Sequence, residues 1–485
     1  MIEKQDFIFK TKPMAHQKKV FDMSKNKEVF ALLMDPGTGK SKVIIDNAAY
    51  LYSRGLINCL IIVAPNGVHK NWPLREIPAH LLDIIEWDSH IIKTGGGGKE
   101  YEASLKKAMY SKNLKIFAIN IEAFAYENPI KLIKNILLFN NCMFVIDESS
   151  RIKSPKAKRT KELCKLAKYA KYRRILTGTP ITQGPQDAYA QFKFLDPDIL
   201  GFSSFTAFKN HFVMTESVTT FSGQRFEKVT GYCNLDELQA AIKDHSFRVE
   251  KHECLDLPEK IYQRFPVELT PQQNKAYAEL SEDLLTFIKG EMVTAKIVLT
   301  KLLRLHQIVG GFIPKGESED EGTLISEKNP KMDAVFESLE DFTGKCIIWA
   351  RFKPEIKYIV KELKRVYGEK STVDYFGDTT SQAREEAVDR FQNDKDTRFF
   401  VGNAKTGGIG LTLTAAEMMI YYSNDFSLET RIQSEDRAHR IGQKKNVLYI
   451  DIEAVGTIDT KIINTLKSKK DVADIITGDE IRSWL

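Results

Sequence analysis

The sequence predicts an α/β protein made of two lobes, each a doubly wound parallel sheet, joined through a helical middle region. Three observations carry that reading. Short runs rich in valine and isoleucine recur along the chain, as strands buried on both faces do. Amphipathic stretches of helical length separate them. The rhythm breaks between about residues 200 and 330 and resumes at Cys346. At 485 residues the chain also exceeds one ordinary hydrophobic core, so several domains are expected.

In chain order the predicted strands are EVFALL (28–33), CLIIVAP (59–65), KIFAIN (115–120), MFVID (143–147), RILTGTP (174–180), CIIWAR (346–351), RFFVGNA (398–404) and MMIYYS (418–423). Helical patterns such as KSKVIIDNAAYLYSRG (40–55) lie between them. The middle reads mainly helical, with one acidic insertion, KGESEDEGT. TGGGGKE (94–100) is the single low-complexity piece and reads as a mobile loop. These divisions place the first lobe at residues 1–245, including the start of the helical insertion. The second occupies 246–485, with its helical part at about 265–330.

Composition excludes several classes. No apolar run reaches membrane-spanning length, and MIEKQDFIFKTK lacks the apolar core of a signal peptide. The six cysteines form no C-x-x-C pair, which argues for reduced thiols and against structural zinc. Together these point to a soluble intracellular chain. A net charge of +6 over this length is too mild to establish nucleic-acid binding, so local clusters must carry that claim.

MDPGTGKS (34–41) follows an apolar run and precedes an amphipathic helix, the setting a phosphate loop needs. Pro36, Gly37, Thr38 and Gly39 would form the cradle. Lys40 would reach the terminal phosphates of a nucleoside triphosphate, and the Ser41 hydroxyl would ligate magnesium. The full pattern asks for glycine where Met34 stands, and the remaining GxGKS is also a common turn. Its partner lies downstream. MFVIDESS ends a strand in Asp147 and Glu148, where ligands bind in open α/β sheets. Asp147 can hold the magnesium, and Glu148 can position and activate water. Both motifs in this order favour a nucleoside triphosphatase.

Three further pieces narrow the class. LTGTP (176–180) ends another strand with Thr177 and Thr179. VGNAKTGGIGLTLTAA (401–416) is a glycine-rich turn, by itself an ordinary strand–helix connection. QSEDRAHRIGQ (433–443) places Arg437 and Arg440 three apart, on one face if the segment is helical. Either they meet their own acids, Glu435 and Asp436, or they await an anion supplied elsewhere.

This ordered set resembles the helicase core of superfamily two, specifically the Swi/Snf-like DNA-translocating ATPases. The most specific stretches are DESSRIKS, LTGTPITQGPQDAYAQFKFLDPDILG, and the run from TGGIGLTLTAA through DRAHRIGQKKNV to GTIDTKI. PNGVHKNW (65–72), LPEKIYQRFPVELTPQQNKAYAEL (257–280) and VDYFGDTTSQAREEAVDRFQ (373–392) are similar to further family motifs, so the likeness runs from about Gln17 to the C-terminus. The resemblance implies two RecA-like lobes, ATP and magnesium as cofactors, and a DNA-stimulated ATPase. Carried over by position, Gln17 would read adenine, and Thr177 and Thr179 would couple nucleotide to DNA. Gly408 and Gly410 would touch both. Arg437 and Arg440 would be the arginine fingers, supported by Gln433. Ser149 and Ser150 depart from the family's usual Ala-His, and FRVEK (247–251) lacks its usual arginine pair.

The same resemblance makes Lys70, Asn71 and Trp72 the first DNA contacts, with Trp72 also readable as a core anchor. Lys153, Thr177, Thr179, Arg351, Lys405 and Thr406 complete the expected set. From Arg151 to Arg174 cations dominate and Glu162 is the only acid, which suits either a solvated face or phosphate contact. The implied partner is double-stranded DNA gripped by its backbone, with branched DNA or DNA-bound proteins as further substrates. No membrane is implied, and a monomeric core is expected. Richness in Lys, Ile and Asn suggests a bacterial or phage-infected cytoplasm before a nucleus. The alternatives are a strand-separating or branch-migrating helicase on the same core, a non-hydrolysing DNA clamp, and a phosphate-loop kinase. The last leaves the second lobe unexplained.

Overall fold

The computed structural model describes residues 7–66, 68–219, 225–290, 295–314, 322–407 and 411–477. These fall into two compact units. The first holds the described residues up to Met214, those of Thr230–Asp256 and those from Asp471; the second holds those of Thr215–Val229 and Leu257–Lys470.

The first unit contains β1 (Val29–Met34), β2 (Cys59–Ala64), β3 (Trp87–Ile92), β4 (Leu114–Asn120), β5 (Cys142–Asp147) and β6 (Tyr172–Leu176). After β7 (Val213–Thr219) and β8 (Arg225–Tyr232), which pair only with each other, β9 (Ser246–Val249) returns to the main sheet. The order is β3-β4-β2-β5-β6-β1-β9, and every neighbouring pair is parallel. CLIIVA and CMFVID are buried at every residue because helices cover both faces of the central strands. Alternate side chains feed two cores. Ile61, Val63 and Phe144 enter one, while Leu60, Ile62 and Val145 enter the other.

The second unit contains β10 (Lys260–Val267), β11 (Phe312–Pro314), β12 (Gly322–Leu324), β13 (Lys345–Trp349), β14 (Thr372–Tyr375), β15 (Phe399–Gly402), β16 (Ala416–Tyr421) and β17 (Val447–Ala454). Its sheet runs β10-β17-β16-β13-β15-β14, again all parallel. Two doubly wound α/β lobes of RecA-like type are therefore present.

The middle region differs from its mainly helical expectation. Helices Phe205–Phe212, Leu235–Lys243, Pro271–Gly290 and Ala295–Val309 are there, but so are β7, β8, β9, β10 and the antiparallel pair β11–β12. Segments such as VMTESVT and KIYQRFPV carry too few apolar residues to announce themselves, because they form a separate pair or a sheet edge. Strand β9 aligns Ser246 with Ala31 of β1, so the division between the units falls after Asp256 and not after residue 245. Most of KGESEDEGT lies outside the described residues. TGGGGKE contains the start of a helix, Lys99–Tyr110, after its glycines.

Candidate active site

The phosphate loop begins where β1 stops. Met34, the residue that breaks the longer motif, is the last residue of the strand and sits fully buried in the core, which is why a side chain occupies it. Gly37 and Gly39 take φ values of +85° and +87°, the left-handed region that glycine enters without penalty. A Cβ on Gly39 would lie 2.1 Å from Gln17 Nε2, so space as well as conformation demands glycine there. Helix Lys40–Ser53 follows. Lys40 Nζ donates to the carbonyls of Met34 (2.8 Å) and Asp35 (3.2 Å), folded over the start of the loop. Ser41 is half-buried in the first helical turn.

Gln17 is engaged at both ends of its amide. Nε2 donates to Thr38 O (3.0 Å), and Oε1 accepts from Met14 N–H (3.0 Å). His16 Nε2 lies 2.8 Å from the same Thr38 carbonyl. Both side chains thus brace the loop. Gly178 of LTGTP packs against Pro36, where a Cβ would come within 2.5 Å of Pro36 Cδ.

Strand β5 delivers Asp147 beside this loop. Its Oδ2 accepts the Trp72 indole N–H (3.0 Å), and its Oδ1 accepts Glu148 N–H (3.0 Å). Burial pushes the Asp147 carboxyl above the usual carboxylate range, opposed by the Trp72 bond, the Lys40 charge and the Glu148 amide. Glu148 has φ +52°, a strained conformation for a residue with a Cβ and one that collects at functional sites. Beyond it, Ser149 Oγ donates to Gln191 Oε1 (2.7 Å), whose Nε2 donates to the carbonyls of Pro180 (2.7 Å) and Asp187 (2.8 Å). Asp187 Oδ2 accepts from Thr182 N–H (2.9 Å), Thr182 Oγ1 (3.0 Å) and Gln183 N–H (2.9 Å). The acids and LTGTPITQ are thereby tied into one network. Arg248 of β9 adds a brace, donating to Gly178 O (3.1 Å) and lying 3.6 Å from Asp35 Oδ1. Sequence reasoning passed over Gln191, Asp187 and Arg248. Gln191 and Asp187 could have been found as polar residues on an otherwise apolar helix, Gln186–Leu195, where a buried polar group needs a partner.

The expected DNA contacts divide. Lys70 is exposed and Asn71 half-buried, and Lys153 Nζ donates to Thr182 Oγ1 (2.6 Å). Trp72 and Thr177 are corrected, because they are 1% and 0% exposed and present no surface. Thr179 is also buried, with its N–H donated to Thr177 Oγ1 (3.1 Å). These three support the site from within. The basic run likewise ends in structural cations. Arg174 is fully buried and donates to the carbonyls of Ser24, Lys27 and Glu28, closing the end of helix Ala15–Ser24. Burial lowers its guanidinium to about 9.

In the second unit, helix Leu428–Glu435 stops short of the two arginines. Arg437 and Arg440 therefore lie in a turn, which corrects their helical reading. They still converge, since each Nη1 donates to Leu411 O, at 3.3 and 3.2 Å. Leu413 N–H donates to Arg437 O (2.9 Å), joining the end of the glycine-rich motif to this segment. Glu435 is taken by other groups: Arg431 Nε (2.8 Å), Lys260 Nζ (2.9 Å) and the Tyr262 hydroxyl (2.7 Å). Burial alone would raise its carboxyl, but Lys260 and Arg431 hold it far below the usual range. Gln433 is buried and donates to Glu429 Oε1 (3.3 Å). Gly408 and Gly410 lie outside the described residues. Asn403 links the remaining three candidates, donating to Arg351 O (2.6 Å) and accepting from the N–H groups of Lys405 (2.9 Å) and Thr406 (3.3 Å).

The fold and its domains define an ATP hydrolase of the helicase class. The chain belongs to the SNF2-related family: residues 7–310 match the SNF2-related domain, and residues 330–442 match the helicase conserved C-terminal domain. An uncharacterized ATP-dependent helicase of Mycoplasma genitalium is 28% identical over 440 residues, which cover 90% of this chain and 39% of that protein. A putative ATP-dependent helicase/translocase of Bacillus subtilis is 28% identical over 351 residues, covering 70% of this chain and 36% of that one. The chain thus spans well under half the length of these relatives. Among solved structures, the Sulfolobus solfataricus SWI2/SNF2 ATPase core in complex with dsDNA has 24% identity and a TM-score of 0.43, covering 98% of this chain and 95% of that one. No helix among the described residues is long and apolar enough to cross a membrane.

Proposed function

We propose that the chain couples ATP hydrolysis to translocation along double-stranded DNA, gripping the backbone without sequence preference. The observation that carries the proposal is the gathering of Lys40, Ser41, Asp147 and Glu148 around one end of a parallel sheet, beside the segment that presents Lys70. The donor set fits a nucleotide with its divalent cation. Glycines with positive φ open the loop, a hydroxyl stands in the first helical turn, and a buried carboxylate is held only by N–H donors among its recorded bonds. Ser41 and Asp147 would hold magnesium, which supplies neutralisation of phosphate charge. Lys40 binds the terminal phosphates. Glu148 orients water and takes its proton as the water attacks the γ-phosphoryl group, with ADP departing. Arg437 and Arg440 neutralise the transition state, and Gln433 supports them. Gln17 acts on the nucleotide through the loop it braces. Lys70, Asn71, Lys153, Arg351, Lys405 and Thr406 contact the track, and protein–DNA or branched-DNA complexes in a bacterial cytoplasm are the substrates.

A second reading is a strand-separating helicase. It would use as its wedge the β7–β8 pair, anchored to the LTGTPITQ loop by the Tyr232 hydroxyl on Gln183 O (2.8 Å). ATP turnover with no nucleic acid, single strands, plain duplex and forks, with Lys40→Ala as the blank, separates the two. Strong stimulation by plain duplex supports the translocase. Preference for single strands or forks supports the helicase, and no turnover on any of them overturns both.

A further inference from the structure

We propose that Trp72 is a positioning residue: its indole N–H orients the Asp147 carboxylate for the divalent cation and makes that orientation depend on the segment carrying Lys70 and Asn71. The proposal rests on the reading of Asp147 as the cation ligand and of that segment as a DNA contact.

The geometry follows from the sheet. Strands β2 and β5 are parallel neighbours in register, Val63 opposite Ile146, so their C-terminal ends emerge side by side. The chain leaving β2 passes through Pro65 and turns back on itself, with Val68 and His69 both donating N–H to Pro65 O. Lys70 is exposed at the outer edge of this turn, and two residues later Trp72 points inward. Trp72 is buried in the same apolar core as Ile62, Ala64, Met34 and Ile77, and its indole N–H points to Asp147 Oδ2. A buried indole N–H needs a partner, and here the partner is the carboxylate 75 positions downstream. From Trp72 to Glu76 the backbone widens into a single π-type turn, with Ile77 N–H donating to Trp72 O. Such insertions are uncommon and gather at functional sites.

Consider what this does to the acid. Among its recorded bonds Oδ1 is fixed by the neighbouring amide of Glu148, so rotation of the carboxylate is limited by the Trp72 bond on Oδ2. A pull on the backbone at Lys70 or Asn71 is transmitted through a stiff aromatic side chain to an oxygen of the cation ligand.

The test replaces the N–H while keeping the ring. Benzothienylalanine at position 72 puts sulfur where the indole has N–H, and Trp72→Phe removes the group by an ordinary substitution. Mn²⁺ affinity is read by electron paramagnetic resonance in the ADP complex, without turnover. Turnover with and without a plain duplex, and affinity for that duplex, are read in parallel. A hydrogen bond to a charged group is worth about tenfold or more in an equilibrium. Both variants should therefore bind Mn²⁺ about tenfold more weakly. Both should lose duplex stimulation by a similar factor while holding the duplex within about twofold of wild type, as expected when no phosphate contact is lost. Wild-type Mn²⁺ affinity and stimulation in the benzothienyl protein would overturn the proposal, since packing alone would then account for Trp72. That protein also decides the matter if Trp72→Phe folds poorly. A wild-type protein indifferent to duplex would refute the DNA reading instead, and the Mn²⁺ measurement would still judge the orientation of Asp147.

Discussion

Buried acids in the two units sit in different electrostatic settings. In the first, Asp147 is held by two N–H donors, one from Trp72 and one from Glu148. In the second, Asp451 is bound by the Arg431 guanidinium, Glu453 by Arg264, and Glu435 by both Arg431 and Lys260. The Arg431 guanidinium also lies over the Tyr421 ring, 3.5 Å from its centre. A carboxylate already matched by a guanidinium has little left for a ligand, whereas one held through neutral N–H donors still lacks a counter-charge that a bound cation would supply. The difference separates chemistry from scaffold. In the first unit Asp147 is held by N–H donors; in the second, guanidinium and ammonium partners on Glu435 and Asp451 fix the segment that leads into Arg437 and Arg440.

The largest expected effect tests the far side of that contrast. Arg440 donates to a neutral carbonyl, Leu411 O, which an anionic phosphate can readily replace. Arg440→Ala should lower kcat by on the order of 10³, the usual size of an arginine finger, while nucleotide affinity changes within about threefold. Steady-state turnover beside equilibrium binding of ADP checks both. Equal loss in affinity and rate would make Arg440 a general phosphate contact.

Arg431→Met attacks the scaffold. Removing one member of a buried ion pair leaves the others uncompensated and costs roughly 3–5 kcal/mol. The expected outcome is a second unit destabilised by about that amount, seen as faster amide exchange in β16 and β17. ADP binding by the first unit should persist. A variant of full stability with turnover reduced as in Arg440→Ala would move Arg431 from scaffold to site.

How much of this was open to reading in the sequence varies with the kind of interaction. Motifs whose chemistry needs adjacent residues were legible: GTGKS with its two left-handed glycines, and Asp147–Glu148 at a strand end. The central strands were legible because burial on both faces leaves an unbroken apolar run. Edges were not. KIYQRFPV mixes polar and apolar residues without a clear period, and its Lys260 and Tyr262 find their role only against Glu435, 175 and 173 positions away. A separation of 75 positions hides Trp72 in the same way: nothing local to PNGVHKNW says that the indole turns inward to Asp147. Arg437 and Arg440 were grouped correctly for an incorrect reason, because a turn and a shared carbonyl bring them together where a helix was expected.

The smallest expected effect sharpens the comparison by pH, and concerns Glu355 in the second unit. This residue is fully buried, accepting the Ser423 hydroxyl (2.6 Å) and its own helix's Phe352 N–H (3.2 Å). Unlike Glu435, it has no guanidinium among its recorded partners. Burial raises its carboxyl from the ordinary 4.5 to about 7, against the Ser423 bond, the charge of Lys331 and the Phe352 amide. Between those two values the folded chain keeps a proton that the unfolded chain has released. Stability is therefore fullest below about pH 4.5 for this group and declines as pH rises to about 7, by roughly 3 kcal/mol or slightly more in all. Glu355→Gln fixes the neutral form and should flatten the decline, leaving the variant close to wild type at low pH and more stable than it above neutrality. Amide exchange in β13 and β16, corrected for intrinsic rates, reads the second unit by itself. If wild type and variant kept parallel profiles from pH 5 to 8, Glu355 would have to be ionised in the folded state, and its burial would then belong with the ion-paired acids around Arg431 and not with the lone carboxylates.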